Sequence, residues 1–145
     1  MALWAGLCGG AVSAQSRSGW FVRPEFSHGL FVAFGDQFTP PHLQASLLMG
    51  GTGNILASGY WSDMLFLGGG VEGCYYLLDK PFSPFAAARY CAQWYTSRQE
   101  VGHAVMALIG ISYRDFDLGI GYLHRFNSKT GSTPVVLHVG YHFRF

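Results

Sequence analysis

The sequence predicts an all-β chain, closed into an up-and-down antiparallel transmembrane β-barrel of eight strands. Three observations predict it. The chain is apolar and rich in glycine and aromatics, yet has no helical span. Its apolar residues alternate with period two between clusters of turn formers. Its charges avoid one face of that alternation.

Of 145 residues, 50% are hydrophobic, 17% aromatic and only 12% charged, and 20 are glycine. Mean hydropathy is +0.20. A soluble domain usually carries about 25% charged residues. Disorder needs low hydrophobicity and high charge, the opposite balance. A formal net charge of +1 excludes a nucleic-acid surface built on a basic patch. A spanning helix needs about 20 apolar residues. Beyond the first fifteen residues, the longest comparable run is Ala104 to Ile111. Only helices and closed barrels satisfy every backbone group in lipid, so the composition points to a barrel.

The first residues, Met1 to Gln15, read MALWAGLCGGAVSAQ. An apolar stretch leads to Val12-Ser13-Ala14, an A-x-A-like pattern. This resembles the tail of a secretory signal peptide cleaved after Ala14, although no positive n-region precedes it. The alternative is a hydrophobic N-terminal strand. Residues 1–14 are thus expected to be a signal-peptide remnant and 15–145 a single barrel domain. Cys8 follows Leu7, where a lipoprotein site carries a small residue. Removing the leader leaves Cys74 and Cys91. An even count in an exported chain permits a disulfide; two unpaired core thiols are the alternative.

The strands follow in order. In Gly19 to Phe34, Trp20, Val22, Phe26, Leu30, Val32 and Phe34 share one parity, and Arg23, Glu25, Ser27 and Gly29 the other. Pro24 and Ser27-His28-Gly29 mark a bulge or a turn. One long strand here gives eight in total. Two would give nine, an odd number that single-chain bacterial barrels avoid. His42 to Met49 turns Leu43, Ala45, Leu47 and Met49 outward. Asn54 to Trp61 turns Ile55, Ala57 and Trp61 outward. Met64 to Leu78 turns Val71, Tyr75 and Leu77 out, and Glu72, Cys74 and Tyr76 in. Phe85 to Thr96 turns Ala88, Tyr90 and Trp94 out, with Arg89 and Cys91 in. Gly102 to Arg114 turns Val105, Ile109 and Tyr113 out, with Ser112 and Arg114 in. Asp117 to Phe126 turns Leu118, Ile120 and Tyr122 out, with Asp117 and Arg125 in. Val135 to Phe145 alternates throughout, with His138, Gly140, His142 and Arg144 inward.

The connections fall into two sets. Gly50 to Gly53, Asp79 to Pro84 and Asp115-Phe116 are expected at the periplasmic end. Gly35 to Pro41, Trp61 to Met64, Thr96 to Val101 and Asn127 to Pro134 are expected at the extracellular end.

The charges test this arrangement. Arg23, Glu25, Glu72, Arg89, Arg114, Asp117, Arg125 and Arg144 take the inward parity. The rest, Asp36 among them, fall in loops or the N-terminal tail. None takes the outer face. A mid-bilayer Arg or Lys on a barrel wall costs about 2–4 kcal/mol, so lipid imposes this segregation. Only His28, His103 and His124 share the outer parity, near strand ends or an irregularity where the cost falls. A soluble lipocalin-like barrel would invert the pattern.

The last eight residues, His138-Val139-Gly140-Tyr141-His142-Phe143-Arg144-Phe145, resemble the β-signal of bacterial outer-membrane barrels. That pattern is polar, any, Gly, any, any, aromatic, any, aromatic. His138, Gly140, Phe143 and Phe145 match its four specified positions. More loosely, the chain from Trp20 onward looks like the small eight-stranded outer-membrane proteins. The resemblance implies the outer membrane of a Gram-negative-type envelope. Its lipids are the expected partners, joined by the barrel-assembly machinery during biogenesis. A monomer is expected, with no nucleic-acid partner.

An eight-stranded barrel is just wide enough to be filled by its own side chains. Arg23, Glu25, Glu72, Arg89, Asp117, Arg125, His138, His142 and Arg144 are therefore expected to form a polar plug, with Glu72 and Arg89 paired on adjacent strands. His138 and His142 are about 13 Å apart along one strand, too far to share a metal. No metal and no cofactor are expected. The chain's role is then structural, surface-exposed or small-ligand-binding.

An enzyme reading stands beside it. Tyr122-Leu123-His124-Arg125-Phe126-Asn127 resembles the His-x-Ser-Asn segment of the lipid A 3-O-deacylases, which are also eight-stranded outer-membrane barrels. His124 and Asn127 match. Phe126 occupies the nucleophile's position, and no Glu follows Glu100. Ser128 can replace the nucleophile only by a register change. Without nucleophile and orienting acid the triad logic fails. The other reading of His124 is an interfacial residue beside the aromatic belt. A lateral conduit for small hydrophobic molecules is a third option, and needs a break in the wall.

Overall fold

The computed structural model describes residues 19–27, 29–38, 43–52, 66–95, 100–126 and 132–145. Its strands are β1 (Gly19–Phe26), β2 (Leu30–Gln37), β3 (Leu43–Thr52), β4 (Phe66–Tyr76), β5 (Phe82–Tyr95), β6 (Glu100–Tyr113), β7 (Phe116–Phe126), β8 (Ser132–Tyr141) and β9 (Phe143–Arg144). Each strand from β1 to β8 pairs antiparallel with the next, and β8 returns to β1. β9 continues β8 past His142 in the same register, since Glu25 faces Gly140 and Phe21 faces Arg144. The sheet is therefore a closed, eight-stranded, up-and-down barrel with an interrupted last strand. No helix among the described residues is long and apolar enough to cross a membrane.

The count of eight is reached by a different route from the one the sequence predicts. Gly19 to Phe34 is not one strand but the β1–β2 hairpin, closed by Ser27 N–H donating to the Gly29 carbonyl at 2.9 Å. The parity runs unbroken through this turn, so alternation alone cannot see it. The predicted strand Asn54 to Trp61 lies outside the described residues, and β3 pairs directly with β4. With β1 and β2 separate and β3 paired directly to β4, the wall has eight strands.

The same correction exchanges two connections between the mouths. One mouth holds Gly19, Phe145, the facing strand ends Gln37 and Leu43, and the connections 77–81 and 114–115. The other holds Ser27, Gly29 and the strand ends Thr52, Phe66, Tyr95, Glu100, Phe126 and Ser132. The described parts of two expected connections, 35–38 and 50–52, thus fall in the opposite sets from those expected, while 79–84 and 115–116 share one mouth.

The alternation itself is realised in the wall. Leu47, Val71, Ile109, Ile120 and Leu137 face outward and are exposed, Leu47 and Ile109 by 62% each. Between them Leu48, Glu72, Leu108 and His138 point inward and are buried. Three charges depart from the predicted census. Glu100, expected in a loop, is the first residue of β6. Asp36 is a β2 residue on the outer parity, one position from the strand's end, where a charge reaches the rim. Arg114 leaves the barrel for the β6–β7 turn, where it is exposed at a φ of 55° with its guanidinium 5.6 Å from the Tyr113 ring.

The interior is less polar than the sequence predicts. Phe21, Phe31, Ala33, Leu48 and Cys91 form one apolar cluster; Cys74, Tyr76, Phe85, Met106, Leu108 and Leu123 anchor another. Close packing inside explains Gly35, where a Cβ would lie 2.6 Å from the Phe21 ring.

Candidate functional site: the lumen

Two adjacent inward positions on β1 and one each on β4 and β5 meet at the centre of the barrel. Glu72 and Arg89 face one another in the β4–β5 register. Arg89 Nη2 lies 2.5 Å from Glu72 Oε2, and Arg89 Nη1 lies 2.6 Å from Glu25 Oε1. Arg23 closes the circuit, with Nη2 2.7 Å from Glu25 Oε2 and 2.5 Å from Glu72 Oε1. Each carboxylate touches both guanidiniums, so four charges alternate in sign around a closed ring. Their side chains are at most 2% exposed. Burying charges is tolerable because each is neutralised by two opposite charges; three of the four contacts are hydrogen bonds, and Glu25 Oε1 meets Arg89 as an ion pair only. Ser27 Oγ accepts from Arg89 Nη1 at 3.2 Å, and the Arg89 guanidinium stands 5.9 Å from the Phe31 ring.

Below the ring, toward the mouth with the chain ends, lies a second polar group. Asp117 Oδ2 accepts from the Tyr76 hydroxyl at 3.1 Å and stands 3.7 Å from Arg23 Nη1. His142 Nδ1 is 3.6 Å from the same oxygen. Tyr76 also reaches Gln44 Oε1 at 3.4 Å. Asp117 Oδ1, Gln44 Nε2 and His142 Nε2 are buried without a hydrogen-bond partner among the described residues. At the mouth itself Arg144 Nε donates to Asp115 Oδ1 at 2.8 Å, and Arg144 Nη1 to Gln37 Oε1 at 2.9 Å.

The predicted plug residues are therefore distributed over levels. Arg23, Glu25, Glu72 and Arg89 form the ring, and Asp117 and His142 the group below it. His138 is buried with its ring near Phe85. Arg144 guards one mouth. Arg125 is only half-buried, toward the opposite mouth, opposite Ala104. Cys74 and Cys91 are both free and buried, so the permitted disulfide is not formed. Cys91 faces Gly70, four residues from Cys74 on β4, or about 13 Å along the strand. A disulfide needs Cα atoms within about 7 Å. Of the assembly-signal residues, His138 and Gly140 point inward and Phe143 and Phe145 outward. Among the described residues, no group of three or more His, Cys, Asp or Glu could hold a metal.

Tyr76, Gln44 and Ser27 join the network although sequence reasoning gave them no role. Their inward parity was the available signal. Gln37 and Asp115 gave none, because each lies at a strand end or turn.

His124 sits outside the lumen, half-buried on the outer wall. Its ring meets Phe126 edge-on, with centroids 4.8 Å apart. The position matching the deacylase nucleophile is thus a phenyl ring in contact with the would-be base. Asn127 and Ser128 lie outside the described residues.

Neither a protein-family signature nor a curated protein matches the sequence. Among solved structures, the chain is similar to the N-terminal β-barrel domain of Pseudomonas aeruginosa OprF. The match has a TM-score of 0.52 at 13% identity, covering 88% of this chain and 98% of that one. At this identity the similarity carries the fold alone: an eight-stranded barrel of the outer-membrane type.

Proposed function

We propose that the chain is a monomeric outer-membrane barrel protein with a structural or surface role. The carrying observation is an apolar outward wall around a lumen closed by the Arg23–Glu25–Arg89–Glu72 ring. Lipid is the solvent that suits such a wall. The ring side chains are buried and mutually paired, which favours a plug over a pore. The C-terminal residues His138, Gly140, Phe143 and Phe145 support recognition by the assembly machinery of a Gram-negative-type envelope. Pro24, Phe26, Leu30, Met49, Val139 and Tyr141 line a shallow, open apolar depression on the wall.

The alternatives are weaker on stated grounds. A lipid A hydrolase needs a nucleophile where Phe126 stands. For a lateral conduit, pairing among the described residues lapses at Tyr122, in the β7–β8 register shift, and over two residues at Arg23 and Pro24, where Pro24 offers no N–H. The latter place backs onto Arg23 and Glu25, so an apolar molecule entering there meets buried charge.

Sugar permeation into proteoliposomes tests the plug. The expected rate is that of protein-free liposomes. Porin-like swelling would refute a closed lumen. Loss of a lipid A acyl chain on expression, abolished by His124→Ala, would establish the hydrolase instead.

A further inference from the structure

His103 and His124 stand on neighbouring strands of the outer wall. His103 faces Phe126, and His124 faces Val105. They are therefore diagonal neighbours on one face, with Cα atoms about 7–8 Å apart. Tyr90, on β5, brings its hydroxyl 2.6 Å from His103 Nδ1, with the rings stacked at 5.9 Å. Phe126 packs edge-on against His124 and lies between the two imidazoles in the register.

The level of this patch identifies its ligand. His103 is near the start of β6 and His124 near the end of β7, both at the mouth opposite the chain ends. A polar group is costly at mid-bilayer and cheap near the interface. The wall around the patch is otherwise apolar, with Val101, Val105, Trp94 and Tyr122 exposed. At headgroup depth the abundant anion is phosphate. The Tyr90 hydroxyl engages His103 Nδ1, so Nε2 is the ring nitrogen left to meet a ligand. His124, the diagonal neighbour of His103 on the same face, supplies a second imidazole beside it.

We propose that His103, His124 and Tyr90 form a binding site for the phosphate of a lipid headgroup on the outer wall. The proposal rests on the membrane reading above. It is a binding site and involves no bond-making step.

The test is native mass spectrometry of the detergent-extracted full chain with bisphosphorylated lipid A, with dephosphorylated lipid A, and with inorganic phosphate as competitor. His103→Phe/His124→Phe should retain the phosphorylated lipid about tenfold less well than the wild type, the loss of a charge-assisted hydrogen bond. Both proteins should hold the dephosphorylated lipid equally. Tyr90→Phe, which keeps the ring packing, should lose about threefold. Membrane insertion of each protein is checked by its heat-dependent gel shift. Equal retention of phosphorylated lipid by inserted wild type and variants would overturn the site while leaving the membrane reading intact. Displacement of the lipid by inorganic phosphate at equal concentration would overturn the lipid as ligand. A wild-type chain that remains soluble would overturn both readings.

Discussion

Gly140 makes room for Arg23. A Cβ built on Gly140 would lie 3.0 Å from Arg23 Cδ and 3.3 Å from its Cγ. The glycine faces Glu25 across the closing seam, so it stands beside two members of the ring. A position matching the C-terminal assembly pattern thus also has a packing reason to lack a side chain. Gly140→Ala should push the arginine stem and cost about 1–3 kcal/mol. Gly35→Ala should cost more, because its Cβ would meet the stiff Phe21 ring at 2.6 Å. Urea unfolding in lipid vesicles checks the order of the two.

The ring predicts unequal single and double substitutions. Arg89→Met leaves Glu25 and Glu72 sharing one guanidinium, and should destabilise by about 3–5 kcal/mol. Adding Glu72→Leu removes the surplus charge and leaves the Arg23–Glu25 pair. The double variant should therefore be more stable than Arg89→Met alone, as read from a double-mutant cycle.

Lipid contact predicts a depth dependence on the outer wall. Ile109→Arg, near the middle of β6, should cost about 2–4 kcal/mol in a bilayer, and Tyr113→Arg, at its end, about 0–1 kcal/mol. Equal costs in vesicle unfolding experiments would argue against a hydrocarbon band.

The two lumen thiols should be silent while the barrel is closed. Maleimide should label Cys74 and Cys91 only after unfolding, because both are about 1–2% exposed. Oxidant should not change gel mobility. A reductant-reversible shift would show that the barrel opens enough to join them.

Much of this fold is legible in the sequence because the pleat and the bilayer impose the same period. Val71, Glu72, Cys74 and Tyr75 reveal their faces by parity alone. Hydrogen-bond partners are not written in parity. The turn at Ser27 and Gly29 preserves the alternation, so β1 and β2 read as one strand, and two connections change ends as a result. Arg114 reads as inward because parity is extended one residue into a turn. The Glu72–Arg89 pair follows from strand adjacency. Its closure by Arg23 and Glu25 does not, since it depends on how far apart β1, β4 and β5 stand across the lumen. Leu48, Met106, Leu108 and Leu123 share the inward parity with the charges, yet the expected plug names only charged residues and histidines.

The central claim is that this apolar wall faces lipid around a closed barrel. Electrophoresis of the outer-membrane fraction, with and without boiling, tests it most directly. The account predicts a membrane-bound protein whose unboiled form resists detergent and changes mobility on heating. A protein recovered from the soluble periplasm, with the same mobility before and after boiling, would contradict it.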